Sequence, residues 1–155
     1  MQIGDQVDDF ELEDETRTPR RLSSLLVHGP VVLFFYPIAS SGGCTQEACR
    51  FRDLAGEFAA VGAQPVGISS DNVTKQSVFA TSNALGYPLL TDAGNRVAKR
   101  LGAYRWFLPG GLHTRRITFV IGRDRRLIHM IASETQFDLH ADQAIEALKR
   151  HRAAH

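Results

Sequence analysis

The only cysteines in this 155-residue chain, Cys44 and Cys49, follow an apolar run, Phe34-Phe35-Tyr36, that ends at Pro37. Small residues, Ala39-Ser40-Ser41-Gly42-Gly43, lead from that run to Cys44. From there Ala48, Phe51, Leu54, Ala55 and Phe58 recur at helical spacing. A thiol is thereby delivered to the start of an amphipathic helix, where unpaired N–H groups and the positive dipole end stabilise an anion. For a cysteine that anion is the thiolate, which is the nucleophile. A second thiol one and a half turns later can trap whatever the first becomes. The arrangement points to thiol redox catalysis, and two inert buried cysteines are the competing reading.

Geometry separates the two thiols. Residues five apart on an α-helix differ by ~7.5 Å of rise and about 140° of rotation, which puts their Cα atoms roughly 8.7 Å apart. A disulfide needs less than about 7 Å. Cys44 and Cys49 therefore cannot bond while the helix is intact. Cys44 shares the face of Ala48, Phe51, Ala55 and Phe58, whereas Cys49 points away from it. Cys44 is the better nucleophile, and Cys49 the better partner for its oxidised form.

The elements that must position these groups are those of a mixed α/β domain. Residues 10–12 alternate as a short strand, and residues 31–36 read as a central strand covered on both faces. Residues 66–69 form a second buried strand, and Asp71 is placed to cap a helix over 73–85. Residues 87–90 are extended, and 95–101 are helical. An aromatic loop over 104–111 follows, in which Trp106, Phe107 and Leu108 could cover the site or dock a partner, with inward packing the favoured reading. Strands over 117–121 and 127–131 flank a hairpin turn at Gly122-Arg123-Asp124-Arg125. A last helix over 138–150 turns Ala144, Ile145 and Leu148 inward. With a thiol at the first major strand-to-helix junction, the pattern fits one thioredoxin-like domain over residues 1–155, a mixed sheet flanked by helices.

Composition excludes several classes. Eighteen basic against 17 acidic residues leave a net charge of +1, which calls for neither nucleic acid nor an anionic membrane. The longest apolar stretch, over 31–36, is far too short to span a bilayer. No basic start followed by an apolar run opens the chain, so the expected location is cytoplasmic, where a cysteine pair is more often catalytic than structural. The six histidines lack ligand spacing with the cysteines, so no metal is expected. The chain has no glycine-rich phosphate motif, and no cofactor is expected.

The motif Pro37-x-x-x-Ser41-x-x-Cys44 resembles the active-site motif of the peroxiredoxins. The longer run, with Tyr36, Gly43-Cys44-Thr45, Ala48-Cys49 and Phe51-Arg52-Asp53, is similar to the PrxQ or bacterioferritin comigratory protein subfamily. The similarity extends through Gly4-Asp5, Val66-Gly67-Ile68-Ser69-Ser70-Asp71, Tyr87-Pro88-Leu89-Leu90-Thr91-Asp92 and Arg116-Ile117-Thr118-Phe119. It implies a peroxidase acting on hydrogen peroxide and organic hydroperoxides, as a monomer or weak homodimer. Cys44 would be the attacking thiol and Cys49 the resolving thiol, with thioredoxin or a similar dithiol as reductant. Arg116 would hold the thiolate and the peroxide, Ser41 would donate a hydrogen bond to either, and Pro37 would shield the site from water. Backbone N–H groups of Gly43 and Cys44 complete the implied cradle.

The chain departs from that pattern twice. Ser41 stands where a threonine is usual, and Gly42 where a proline is usual, so the loop before Cys44, Ser40-Ser41-Gly42-Gly43, is expected to be flexible. A protein thiol–disulfide oxidoreductase is a rival reading, although it normally carries Cys-x-x-Cys and has no use for Arg116. A noncatalytic redox-sensing module is the other. Glu47 could contact Arg50 or Arg116, but a helix-surface position is the favoured reading, and Arg115 reads as a solvated neighbour facing opposite to Arg116.

Overall fold

Every residue of strand β3 (Val31–Phe35) is buried, which is why its sequence lacks polar alternation. The computed structural model, which describes residues 1–106 and 113–154, shows where the two sets of side chains go. Val31, Leu33 and Phe35 enter one core with Leu22, Leu25, Val97 and Leu101. Val32, Phe34 and Tyr36 enter another, on the opposite face, with Ala48, Phe51, Phe58, Phe79 and Leu148. The period of two along the strand thus feeds two cores at once.

β3 is central in a five-stranded sheet. It pairs in parallel with β4 (Gln64–Ser69), which pairs in parallel with β5 (Leu89–Thr91). On its other side it pairs antiparallel with β6 (Ile117–Ile121), which continues antiparallel to β7 (Leu127–Ala132). Strands β1 (Glu11–Glu13) and β2 (Pro19–Arg21) form a separate antiparallel pair. Helices α1 (Leu22–Leu25) and α5 (Arg96–Leu101) supply the first core. Helices α2 (Gly42–Asp53), α3 (Ala55–Ala60), α4 (Val73–Asn83) and α6 (Leu139–Ala154) supply the second.

Aromatic rings fix α2 on β3. Phe51 stacks on Phe34 with centroids 4.2 Å apart, and on Phe58 at 5.7 Å. Each such pair contributes about 0.5–1.5 kcal/mol beyond the area it buries. From outside, the Arg50 Nε donates to Asp142 on α6 at 2.9 Å, and Arg52 Nη1 donates to the Asn83 carbonyl at the end of α4 at 2.7 Å.

Four sequence expectations need correction. The periodic stretch from Cys44 to Phe58 is two helices, because Leu54 (φ −96°, ψ 16°) breaks it. The break turns Ala55 out to solvent while Phe58 stays buried. Asn72, not Asp71, caps α4, by accepting the Lys75 N–H. Trp106 does not pack inward: it is 73% exposed, with its ring against Tyr104 and the Lys99 ammonium 5.1 Å from its centroid. Residues 107–112 of that loop, including Phe107 and Leu108, lie outside the described residues. The stretch before Cys44 is not all loop either, because Gly42 and Gly43 form the first turn of α2.

Candidate active site

Tyr36 ends the central strand with its N–H on the Ile68 carbonyl, and the buried Pro37 then turns the chain away from the sheet. Two contacts hold the following residues in place. The Asp71 carboxylate accepts the Ala39 N–H and the Ser69 hydroxyl, each at 2.7 Å, so the approach to α2 is tied to the end of β4. Ser40 adopts a left-handed conformation (φ 66°), and the Ser41 hydroxyl donates to the Ile38 carbonyl at 2.9 Å. Ser41 occupies the N-cap position of α2, but its side chain makes no capping bond. The first N–H groups of the helix are thus left to Gly42, Gly43 and Cys44 without a side-chain partner.

Asp71 therefore acts on the site rather than as the helix cap. Asp71→Ala is expected to release the loop and slow the reaction of the Cys44 thiol about tenfold, since small misplacements of reacting groups have effects of at least that size. The measurement is the second-order rate of Cys44 oxidation, with the urea midpoint as a control for stability.

Cys44 is 1% exposed and lies over the second core. Arg116 comes to it from the residue before β6. Strand alternation decides which arginine does so: Thr118 and Arg116 share one face, while Ile117 and Arg115 share the other. Arg115 accordingly donates to the Gly102 carbonyl at 3.0 Å, on the α5 side. Arg116 Nη1 lies 3.4 Å from Cys44 Sγ and donates to Glu47 Oε1 at 2.9 Å. Burial works against its charge, but Cys44 and Glu47 together outweigh burial and hold the guanidinium protonated more firmly than usual. The Arg116 backbone N–H donates to Glu134 at 3.0 Å. Phe137 covers the outer side, with the guanidinium carbon 4.7 Å from its ring centroid.

Gly43 is needed for that cover. A Cβ at this position would lie 2.6 Å from two Phe137 ring carbons and 3.4 Å from Arg116 Nη2. Both cysteines are free thiols. Cys49 does not point away from the core as its spacing suggests: it is half-buried and packs against the edge of the same second core as Cys44, with Sγ 3.7 Å from Asn83 Oδ1.

Of the residues singled out by sequence, the structure brings together Cys44 and Arg116. It does not bring the Ser41 hydroxyl onto Cys44, since that hydroxyl is engaged by Ile38. Glu47, expected at the helix surface, is fully buried beneath Arg116. Its position three residues after Cys44, on the same helix face, is the signal that could have found it. Burial raises the Glu47 carboxyl to about 8, against the opposing pull of Arg116.

The AhpC/TSA family profile matches residues 3–130. A solved structure, peroxidoxin BcpB from Mycobacterium tuberculosis, is 54% identical over 97% of each chain, with a TM-score of 0.92. The chain is a peroxiredoxin of the AhpC/TSA family. Chloroplastic peroxiredoxin Q from Arabidopsis thaliana is 35% identical over 94% of this chain and 66% of its own length. A Xanthomonas campestris bacterioferritin comigratory protein, described for its alkyl peroxide reduction activity, is 25% identical over 92% of this chain and 91% of its own, with a TM-score of 0.83. The mixed sheet and flanking helices of this peroxiredoxin are therefore those of the thioredoxin-like fold. As a member of the family it is a thiol-dependent peroxidase. Among the described residues of the peroxiredoxin, no helix is long and apolar enough to cross a membrane.

Proposed function

We propose that Cys44 is the attacking thiol of this peroxidase and that Cys49 resolves its oxidised form in the same chain. The observation that carries the reading is the buried Cys44 Sγ at 3.4 Å from the Arg116 guanidinium. The thiolate attacks the terminal peroxide oxygen, the O–O bond breaks, and the alcohol or water product leaves with a proton. Cys44 becomes a sulfenic acid. The Cys49 thiol then condenses with it, releasing water and forming the disulfide, which an external dithiol reduces by exchange.

Arg116 stabilises the thiolate and donates to the peroxide. The N–H groups of Gly43 and Cys44 receive the polarised oxygen. Pro37, buried and without an N–H, keeps water from the site. Ser41 serves as a donor only if its hydroxyl leaves Ile38, a rotation that the side chain allows. The alkyl peroxide activity described for the Xanthomonas relative supports organic hydroperoxides as substrates beside hydrogen peroxide. Thioredoxin or a similar dithiol protein is the reductant we assign, for a single-domain cytoplasmic protein that is a monomer or a weak homodimer.

The cycle requires α2 to open, since both cysteines lie on one intact helix. Hydrogen exchange in the reduced and oxidised proteins is expected to differ mainly over residues 42–51, with α6 unchanged. Mass spectrometry is expected to show an internal crosslink in a species of monomer mass. A disulfide-linked dimer as the main product, or equal exchange in both states, would exclude Cys49 as the resolving thiol of its own chain.

A further inference from the structure

Glu47 is fully buried, and only one of its two oxygens is satisfied. Oε1 accepts from Arg116 Nη1, whereas Oε2 makes no hydrogen bond among the described residues. The atom Oε2 faces is His140 Nδ1, 3.5 Å away, on a ring that is itself fully buried. The ring's protonation follows from its other contacts. Nε2 lies 2.8 Å from the Ser133 carbonyl, which can only accept, so Nε2 carries a proton. Burial, aided by the charge of Arg116, keeps His140 from taking a second one. Nδ1 is then a lone pair that accepts from the Thr118 hydroxyl at 2.8 Å.

An ionised Oε2 would place negative charge 3.5 Å from that lone pair, between two side chains that are both fully buried. The titratable and charged groups around Glu47 give little relief. They are Cys44 on α2, Arg116 before β6, Glu134 between β7 and α6, His140 on α6 and Tyr87 before β5. Arg116 is the one cation among them, and with both Cys44 and Glu47 ionised it would face two buried anions. We propose that in the reduced enzyme Glu47 carries a proton on Oε2, lodged against neutral His140, and that this proton reserves the Arg116 charge for the Cys44 thiolate. Glu47 and His140 are positioning residues that act through Arg116.

The sign of the pH effect follows. Above about 8 the Glu47 carboxyl loses its proton in the folded protein. The new carboxylate competes with the thiolate for the same guanidinium, so the enzyme loses activity on the alkaline side. The inference rests on Cys44 being the attacking thiol, and its test is chosen to fail separately from that assignment. Infrared spectra of reduced wild-type protein are expected to show a buried carboxylic acid carbonyl at neutral pH that disappears as pH rises through about 8. This measurement needs no variant and does not depend on turnover. Glu47→Gln is expected to remove the band. In the wild type the peroxide rate is expected to fall roughly tenfold on the alkaline side, and Glu47→Gln is expected to remove that fall. An alkaline fall shared by wild type and Glu47→Gln overturns the proposal. So does absence of the band in the wild type at neutral pH, and with Cys44 still essential that result leaves the peroxidase assignment standing.

Discussion

Cys44→Ser is expected to abolish peroxide consumption, while Cys49→Ser consumes one equivalent and stops at a sulfenic acid. The asymmetry follows from where the two thiols sit on α2. Cys44 is the third residue of the helix, beside the first free N–H groups and 3.4 Å from Arg116 Nη1. Cys49 instead has an amide oxygen, that of Asn83, as its hydrogen-bonding neighbour. A serine hydroxyl at position 44 keeps the shape but is not ionised there, so no nucleophile remains. At position 49 serine leaves the first step intact and removes only the condensation that follows. Stopped-flow mixing with peroxide, with sulfenic acid trapped by a dimedone-type reagent, separates the outcomes. Sulfenic acid trapped on Cys49 of the wild type, with Cys44 untouched, would reverse the assignment.

Arg116→Met is expected to slow peroxide reduction by about 10²- to 10³-fold, the usual effect of removing one preorganised donor from a reacting centre. Methionine preserves the bulk under Phe137 but leaves the thiolate without its cation, and Glu47 Oε1 without its donor. Arg115→Met is the matched control. Its guanidinium binds the Gly102 carbonyl on the other side of the sheet, so its rate is expected to stay within about twofold, as for substitutions away from special features. Equal losses in the two variants would mean that net positive charge matters, and not the contact with Cys44.

Sequence carried some of this site and hid the rest, for identifiable reasons. Cys44 and Cys49 were visible because two cysteines just beyond a buried strand have few other uses. Arg116 was distinguishable from Arg115 because strand parity is fixed by the apolar residues that follow. Glu47 was hidden by a sound rule, that a carboxylate on a helix faces water unless it is paired. Its partners, Arg116 and His140, are distant in sequence and meet it only through the packing of β6 and α6 against α2. The break at Leu54 was hidden because the apolar period runs through it unbroken. Asp71 and Asn72 are equally good caps by residue type, and only the loop at Ala39 decides which of them is free to cap.

That break at Leu54 bears on how quickly the enzyme can return to its starting state. Starting a helix from coil is the unfavourable step, with a nucleation constant of about 10⁻³, while adding residues to an existing turn is nearly neutral or favourable. If residues 42–50 open as proposed, the end of α2 has its own anchor, because Phe51 stacks between Phe34 and Phe58. The Leu54 N–H holds the Arg50 carbonyl at 3.1 Å, and the Phe58 N–H holds that of Leu54 at 3.0 Å. The remnant keeps the chain direction and the dihedral angles of a helix already begun. Once the disulfide is reduced, the residues above it need only propagate, at about nanoseconds each. In the proposed cycle, the return of Cys44 to its place beside Arg116 is then expected to outpace the chemical steps, which would leave the pace of turnover to the reductant.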